Sequence, residues 1–151
     1  MKSPMNQLLD ALAPKLGFEA LEFDADGVCI LMFDDSLVLE LHVNDKSQSL
    51  SLTAFIGEIS NGPTLPNALK EVLSANISLN QAYGMSLGVE PITNSLLLLQ
   101  QIHAEQTTIE CLDKVFTTYV EQAEYWQEQL IIMNHMHTPP QQKPVDSGVR
   151  V

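Results

Sequence analysis

Residues 107–130 read TTIECLDKVFTTYVEQAEYWQEQL, shortly after the apolar run Leu96 to Leu99. Apolar or aromatic residues recur at Ile109, Leu112, Phe116, Tyr119, Ala123, Trp126 and Leu130. The gaps alternate between three and four, so all of these positions share one face of a helix. The opposite face carries Glu110, Asp113, Lys114, Glu121 and Glu128. Thr107, with Glu110 three residues later, matches a capping box, which starts a helix by satisfying its orphan N–H groups. The aromatic stripe reads as core packing. A helix of about 25 residues spans close to 37 Å, so its far end, with Trp126 and Leu130, can overhang a small sheet. An overhanging end could contact another subunit or stay exposed. A strand feeding a long acidic closing helix suits a protein that works through its surfaces.

Working outward, Ser3-Pro4 provides a capping hydroxyl and a proline for the first helical turn. Leu8, Leu9, Leu12 and Leu16 share a face, and Gly17 supplies a stop. Asp24 to Gly27 forms a turn. Val28 to Phe33 is a continuous apolar strand, closed by the Asp34-Asp35 turn. In the next two strands Leu37, Leu39, Leu41 and Val43, then Leu50, Leu52, Ala54 and Ile56, alternate with more polar positions, each strand burying one face. Three strands with tight turns make an antiparallel meander. Pro66 opens a second helix whose expected inner face is Leu65, Leu69, Val72, Leu73 and Asn76, and Gly84 ends it. Met85 to Val89 and Ser95 to Ile102 are two further strands around the Pro91–Asn94 turn. The order is α-β-β-β-α-β-β-α, an α+β domain over residues 1–134 with a twisted, mainly antiparallel sheet flanked by three helices. Residues 135–151 hold Pro139-Pro140 and Pro144 and read as a disordered tail.

Composition narrows function. With 7 Lys and Arg against 19 Asp and Glu, the net charge is −12. Such a chain repels phosphate backbones, so it is not expected to bind nucleic acid, and any effect on transcription would be indirect. No run approaches the ~20 apolar residues of a membrane span, and the N-terminus lacks the pattern of a signal peptide. A cytoplasmic protein with two buried thiols, Cys29 and Cys111, is expected.

Motifs for chemistry are scarce. Asp24-x-Asp26-Gly27 is a turn rather than a calcium loop, because a strand fills the space where further oxygen ligands belong. His135-x-His137 lacks a third metal ligand. There is no Cys-x-x-Cys, no Gly-rich phosphate loop and no Gly-x-Ser-x-Gly. Asn76-Ile77-Ser78 fits a glycosylation sequon that a cytoplasmic protein would not use. No catalytic residue, cofactor or metal is called for, and a small ligand-binding α/β domain remains the rival class. Apolar surface, by contrast, is in excess. Val28–Phe33 and Leu96–Leu99 are apolar on both faces, and such strands need cover on both sides, from helices, a second copy or a client.

Taken together, these features resemble the class I type III secretion chaperones, of CesT/SycE-like fold. The resemblance rests on Leu8-Leu9-x-x-Leu12, Leu65-Pro66-x-x-Leu69, Ser86-Leu87-Gly88-Val89 followed by Leu96 to Leu99, and Ala123-Glu124-Tyr125-Trp126, in that order over residues 3–133. Thr108-Ile109-Glu110-Cys111-Leu112, Ala123 to Gln127 and the final Val149-Arg150-Val151 look like the branch of that family whose members double as anti-anti-activators of secretion genes. The resemblance implies a non-enzymatic homodimer, with Leu69, Val72, Leu73, Asn76, Met85, Leu87 and Val89 at the two-fold. It implies a client wrapped on the dimer as a non-globular chain, for which Leu8, Leu12, Phe33, Val38 and Leu39 are the candidate contacts. It also implies two alternative partners: a small secreted regulator, and an anti-activator that the chaperone sequesters once the regulator has left the cell. A plain effector chaperone with no regulatory role is the alternative.

Overall fold

The computed structural model describes residues 2–135, so the expected tail lies, from residue 136 on, outside the described residues, as does His137. The elements are α1 (Pro4–Lys15), β1 (Val28–Phe33), β2 (Leu37–Asn44), β3 (Ser49–Glu58), α2 (Leu65–Tyr83), β4 (Met85–Glu90), β5 (Ser95–His103), a 3-10 turn (Ala104–Gln106) and α3 (Ile109–His135). This is the expected α+β order. All strand pairings are antiparallel, in the spatial order β1-β2-β3-β5-β4.

Local signals explain most boundaries. The Ser3 side chain accepts the Asn6 N–H and opens α1, with Pro4 in its first turn. Asp34 and Asp35 both take positive φ, which closes the β1–β2 hairpin with the twist the strands need. The Asn44 carboxamide accepts the Lys46 and Ser47 N–H groups and shapes the β2–β3 turn. Gly84, in left-handed conformation, stops α2.

The core lies on one side of the sheet. Leu31, Leu39, Ala54, Leu98 and Leu87 pair across all five strands and point to the same buried face. Against it, α3 sets Leu112, Phe116, Tyr119, Ala123, Trp126, Leu130 and Met133, all buried. The helix α1 flanks α3 with Met5, Leu9 and Leu12, while α2 packs on β4. The Tyr119 hydroxyl donates to the Leu98 carbonyl at 2.6 Å, and burial pushes the phenol pKa up.

Four expectations need correction. The cap of α3 is Thr108, whose hydroxyl accepts the Cys111 N–H, while the Thr107 hydroxyl donates to the Thr108 carbonyl instead. The far end of α3 does not overhang: Trp126 and Leu130 are buried, and the Asn134 side chain accepts the Ser60 N–H and donates to the Glu58 carbonyl. A bulge in β3 at Gly57 makes room there, because a Cβ on Gly57 would lie 2.8 Å from Leu130 Cδ2. The inner face of α2 is Ala68, Val72 and Leu79, and Leu73 points outward. Cys29 is buried as expected, but Cys111 is exposed, one position off the α3 stripe.

Tyr119→Phe, which removes only the hydroxyl, is expected to cost about 1–2 kcal/mol in urea unfolding without changing the circular dichroism spectrum of the folded chain.

Candidate partner-binding surfaces

Side chains alternate across a strand, so burying one face of this sheet commits the remaining residues to the other. Met32 pairs with Val38, Val38 with Phe55, and Phe55 with Leu97. These four residues form one apolar row across β1, β2, β3 and β5. Ile30 and Leu99 extend it on the same face. No helix among the described residues covers the row: Ile30 is 64% exposed and Met32 58%, while Phe55 and Leu99 are also exposed. The strands that read as apolar on both faces thus have one face in the core and one open.

The two edges of the sheet differ. On β4, Asn76 of α2 accepts the Leu87 N–H at 2.6 Å and donates to the Leu87 carbonyl at 3.0 Å. Its carboxamide thus stands in for a neighbouring strand and blunts that edge. On β1, residues 18–24 run alongside. Phe18 meets Phe33 edge to face, and the Asp24 N–H donates to the Val28 carbonyl. No strand pairs with β1 on that side among the described residues. A second apolar surface lies on the outer side of α2, where Leu73 (68% exposed) and Ile77 (65% exposed) sit one turn apart.

The predicted contact residues fall into different settings. Val38 is in the open row. Leu8 and Phe33 are half-buried on the helical side of the sheet, and Leu12 and Leu39 are fully buried. Leu12 and Leu39 therefore touch a partner only if the core opens. Of the predicted two-fold residues, Val72, Met85 and Leu87 are buried within the chain, Leu69, Asn76 and Val89 are half-buried, and Leu73 is free. Sequence reasoning missed Ile30, Met32, Phe55, Leu97 and Leu99. The signal was the apolar character of both faces of Val28–Phe33, read for cover but not resolved into a row.

Chemistry remains scarce. Among the described residues no group of three or more His, Cys, Asp or Glu is placed to hold a metal ion. The Asp24 carboxylate is engaged by the N–H groups of Asp26 and Val28, as the turn reading expects. Glu124 has its carboxyl pKa raised, by lost hydration first and then by Asp34, Glu121 and Glu128, whose negative charges oppose its ionisation. No helix among the described residues is long and apolar enough to cross a membrane.

The sequence profile of the Tir chaperone protein (CesT) family matches residues 7–127. The chain belongs to that family. That family is one of type III secretion chaperones, which are not enzymes. The transcriptional anti-antiactivator ExsC of Pseudomonas aeruginosa is 26% identical over 130 residues, covering 86% of this chain and 88% of ExsC. The crystal structure of the ExsC–ExsE complex superposes with a TM-score of 0.69 at 26% identity, over 83% of this chain and 92% of that one. The HopA1–SchA chaperone–effector complex matches at a TM-score of 0.68 and 21% identity, over 83% of this chain and 94% of that one, a likeness of fold alone.

Replacing Ile30 and Met32 together by serine is expected to leave the urea midpoint nearly unchanged, because exposed positions carry little stability. The same pair of changes should lower the fluorescence of the apolar-surface dye ANS, which reports the open row.

Proposed function

We propose that this chaperone is a homodimer that holds a secreted partner as an extended, non-globular chain on the open row of its sheet. The observation that carries this reading is the unbroken run Met32–Val38–Phe55–Leu97, an apolar surface that no helix among the described residues covers. The unpaired side of β1 adds a place for main-chain pairing once residues 18–24 give way. The chaperone acts in the cytoplasm, where its partner is made.

The finer reading follows the ExsC relative. The partner is then a small secreted regulator, ExsE-like, and the second partner an ExsD-like anti-activator that competes for overlapping apolar surface. Whichever is abundant and tightly bound occupies the chaperone by mass action. The net charge of −12 suits control by protein titration rather than by contact with DNA. The distant kinship to an anti-antiactivator supports this reading over that of a plain effector chaperone. Deleting the gene separates the two. The regulatory reading expects secretion-gene transcription to stay low under inducing conditions, whereas a plain chaperone would lose one effector and leave transcription unchanged.

For the dimer, the outward residues Leu73 and Ile77 of α2, with half-buried Leu69 beside them, are the proposed contact, and Asn76 holds α2 against β4. Sedimentation should give a dimer for the native chain and a folded monomer for Leu73→Asp with Ile77→Asp. A native chain that sediments as a monomer at tens of micromolar would rule the dimer out.

A further inference from the structure

The two edges of the sheet are covered by different means. On β4 the cover is the pair of hydrogen bonds between Asn76 and Leu87. On β1 it is the segment that joins α1 to β1, which forms neither helix nor strand. Both ends of that segment are fastened through the backbone. The Phe18 N–H donates to the Ala13 carbonyl near the end of α1, and the Asp24 carboxylate accepts the Asp26 and Val28 N–H groups. Between those points the fastening changes character. Among the described residues, Glu19 to Phe23 make no hydrogen bond to the backbone of β1. Apolar contact holds them instead. Leu21 and Phe23 are half-buried against the core, and Phe18 meets Phe33 edge to face with 6.4 Å between ring centres. Glu19, Ala20 and Glu22 are exposed. Beneath the segment lies Cys29, only 4% exposed, with the Glu22 backbone amide beside its thiol. Because β1 is the outermost strand, the segment separates this thiol from solvent on that side.

We infer that residues 18–23 form a releasable strap, which swings off the β1 edge while the rest of the fold stays intact, and that the strap and an extended partner chain exclude each other from that edge. A cover held by three half-buried side chains, without ladder bonds, belongs to the least stable part of a fold. An edge strand needs some cover, because an open one pairs indiscriminately. A permanent cover like that on β4 would shut out partners as well. A releasable cover acts as a filter. The apparent affinity of a partner falls in proportion to the fraction of molecules whose strap is open. A chain displaces the strap only when its own contacts exceed those of Phe18, Leu21 and Phe23, so weak and adventitious strands are rejected. This inference rests on the reading that the β1 edge helps to hold a partner, but its test requires no natural partner.

Cys29 reports the position of the strap. Burial pushes its thiol pKa up, and a covered thiol reacts slowly. In the full chain carrying Cys111→Ser, Cys29 is the one remaining thiol. The test follows its reaction with the thiol reagent DTNB at rising urea, below the unfolding transition. The strap predicts a rate nearly independent of urea there, because local opening exposes little surface. Adding Phe18→Ala with Leu21→Ala should raise the rate about tenfold, with unchanged circular dichroism. Leu21→Ser alone, which keeps the contact of Phe18 with Phe33, should raise it less. A synthetic peptide of residues 17–24 at millimolar concentration should slow the reaction again in the double variant, and a scrambled peptide should not. A parent rate that climbs with urea as steeply as global unfolding, or equal rates in parent and variants, would overturn the strap. Faster labelling that the peptide does not slow would overturn the competition for the edge. Failure of the open row would show instead as lost partner binding with Cys29 labelling unchanged.

Discussion

The Tyr119 hydroxyl reaches from the middle of α3 to the Leu98 carbonyl of β5, a buried bond of 2.6 Å. It fixes the one placement on which the remaining contacts depend. With Tyr119 seated there, Phe116 reaches Phe33 on the first strand, and Leu130 reaches the bulge at Gly57. Asn134 then ties the last turn of α3 to the end of β3. The flanking helices settle around that axis, α1 beside α3 and α2 over β4. A five-stranded sheet this small has room for one layer of helices, and α3 decides which face receives it.

The proposed function rests on what that choice leaves uncovered. Because side chains alternate strictly along a strand, the burial of Leu31, Leu39, Ala54 and Leu98 forces their neighbours Met32, Val38, Phe55 and Leu97 outward. A monomeric protein under no other demand would place polar residues there. Instead the outward row beside the β1–β2 turn is apolar from Met32 to Leu97, Ile30 and Leu99 flank Glu40 and Thr53 in the row behind it, and only the far end, with His42, Ser51 and Gln101, is largely polar. The blunting of the β4 edge by Asn76 limits further strand pairing to the β1 side. A chaperone of extended chains needs this combination: an apolar face that is always open, and one sheet edge that can be used.

Much of this was legible in the sequence because the governing signals are periodic. The stripe from Ile109 to Leu130 had one helical reading, and the alternation in Leu37–Val43 and Leu50–Ile56 named their buried faces correctly. What failed was local or relational. Thr107 and Thr108 both suit a cap, and only the backbone path decides between them. Leu73 fits the same apolar face as Leu69 on a helical wheel, but β4 accepts Ala68, Val72 and Leu79, because the Asn76 carboxamide must face Leu87. Cys111 sits among apolar residues in sequence and one position off the stripe in space. Leu12 and Leu39 looked like groove residues, and packing against α3 made them core. The open row escaped because it joins four strands, and its pairing depends on a register that no single strand reveals.

Hydrogen–deuterium exchange by this chaperone, alone and with a secreted partner encoded by the same bacterium, tests the central claim most directly. The account predicts that binding slows exchange in β1 and the segment beside it, and that the complex fails to form when Met32 and Phe55 are both replaced by aspartate in an otherwise folded chain. Protection confined to other parts of the surface, with full binding by that double variant, would contradict it.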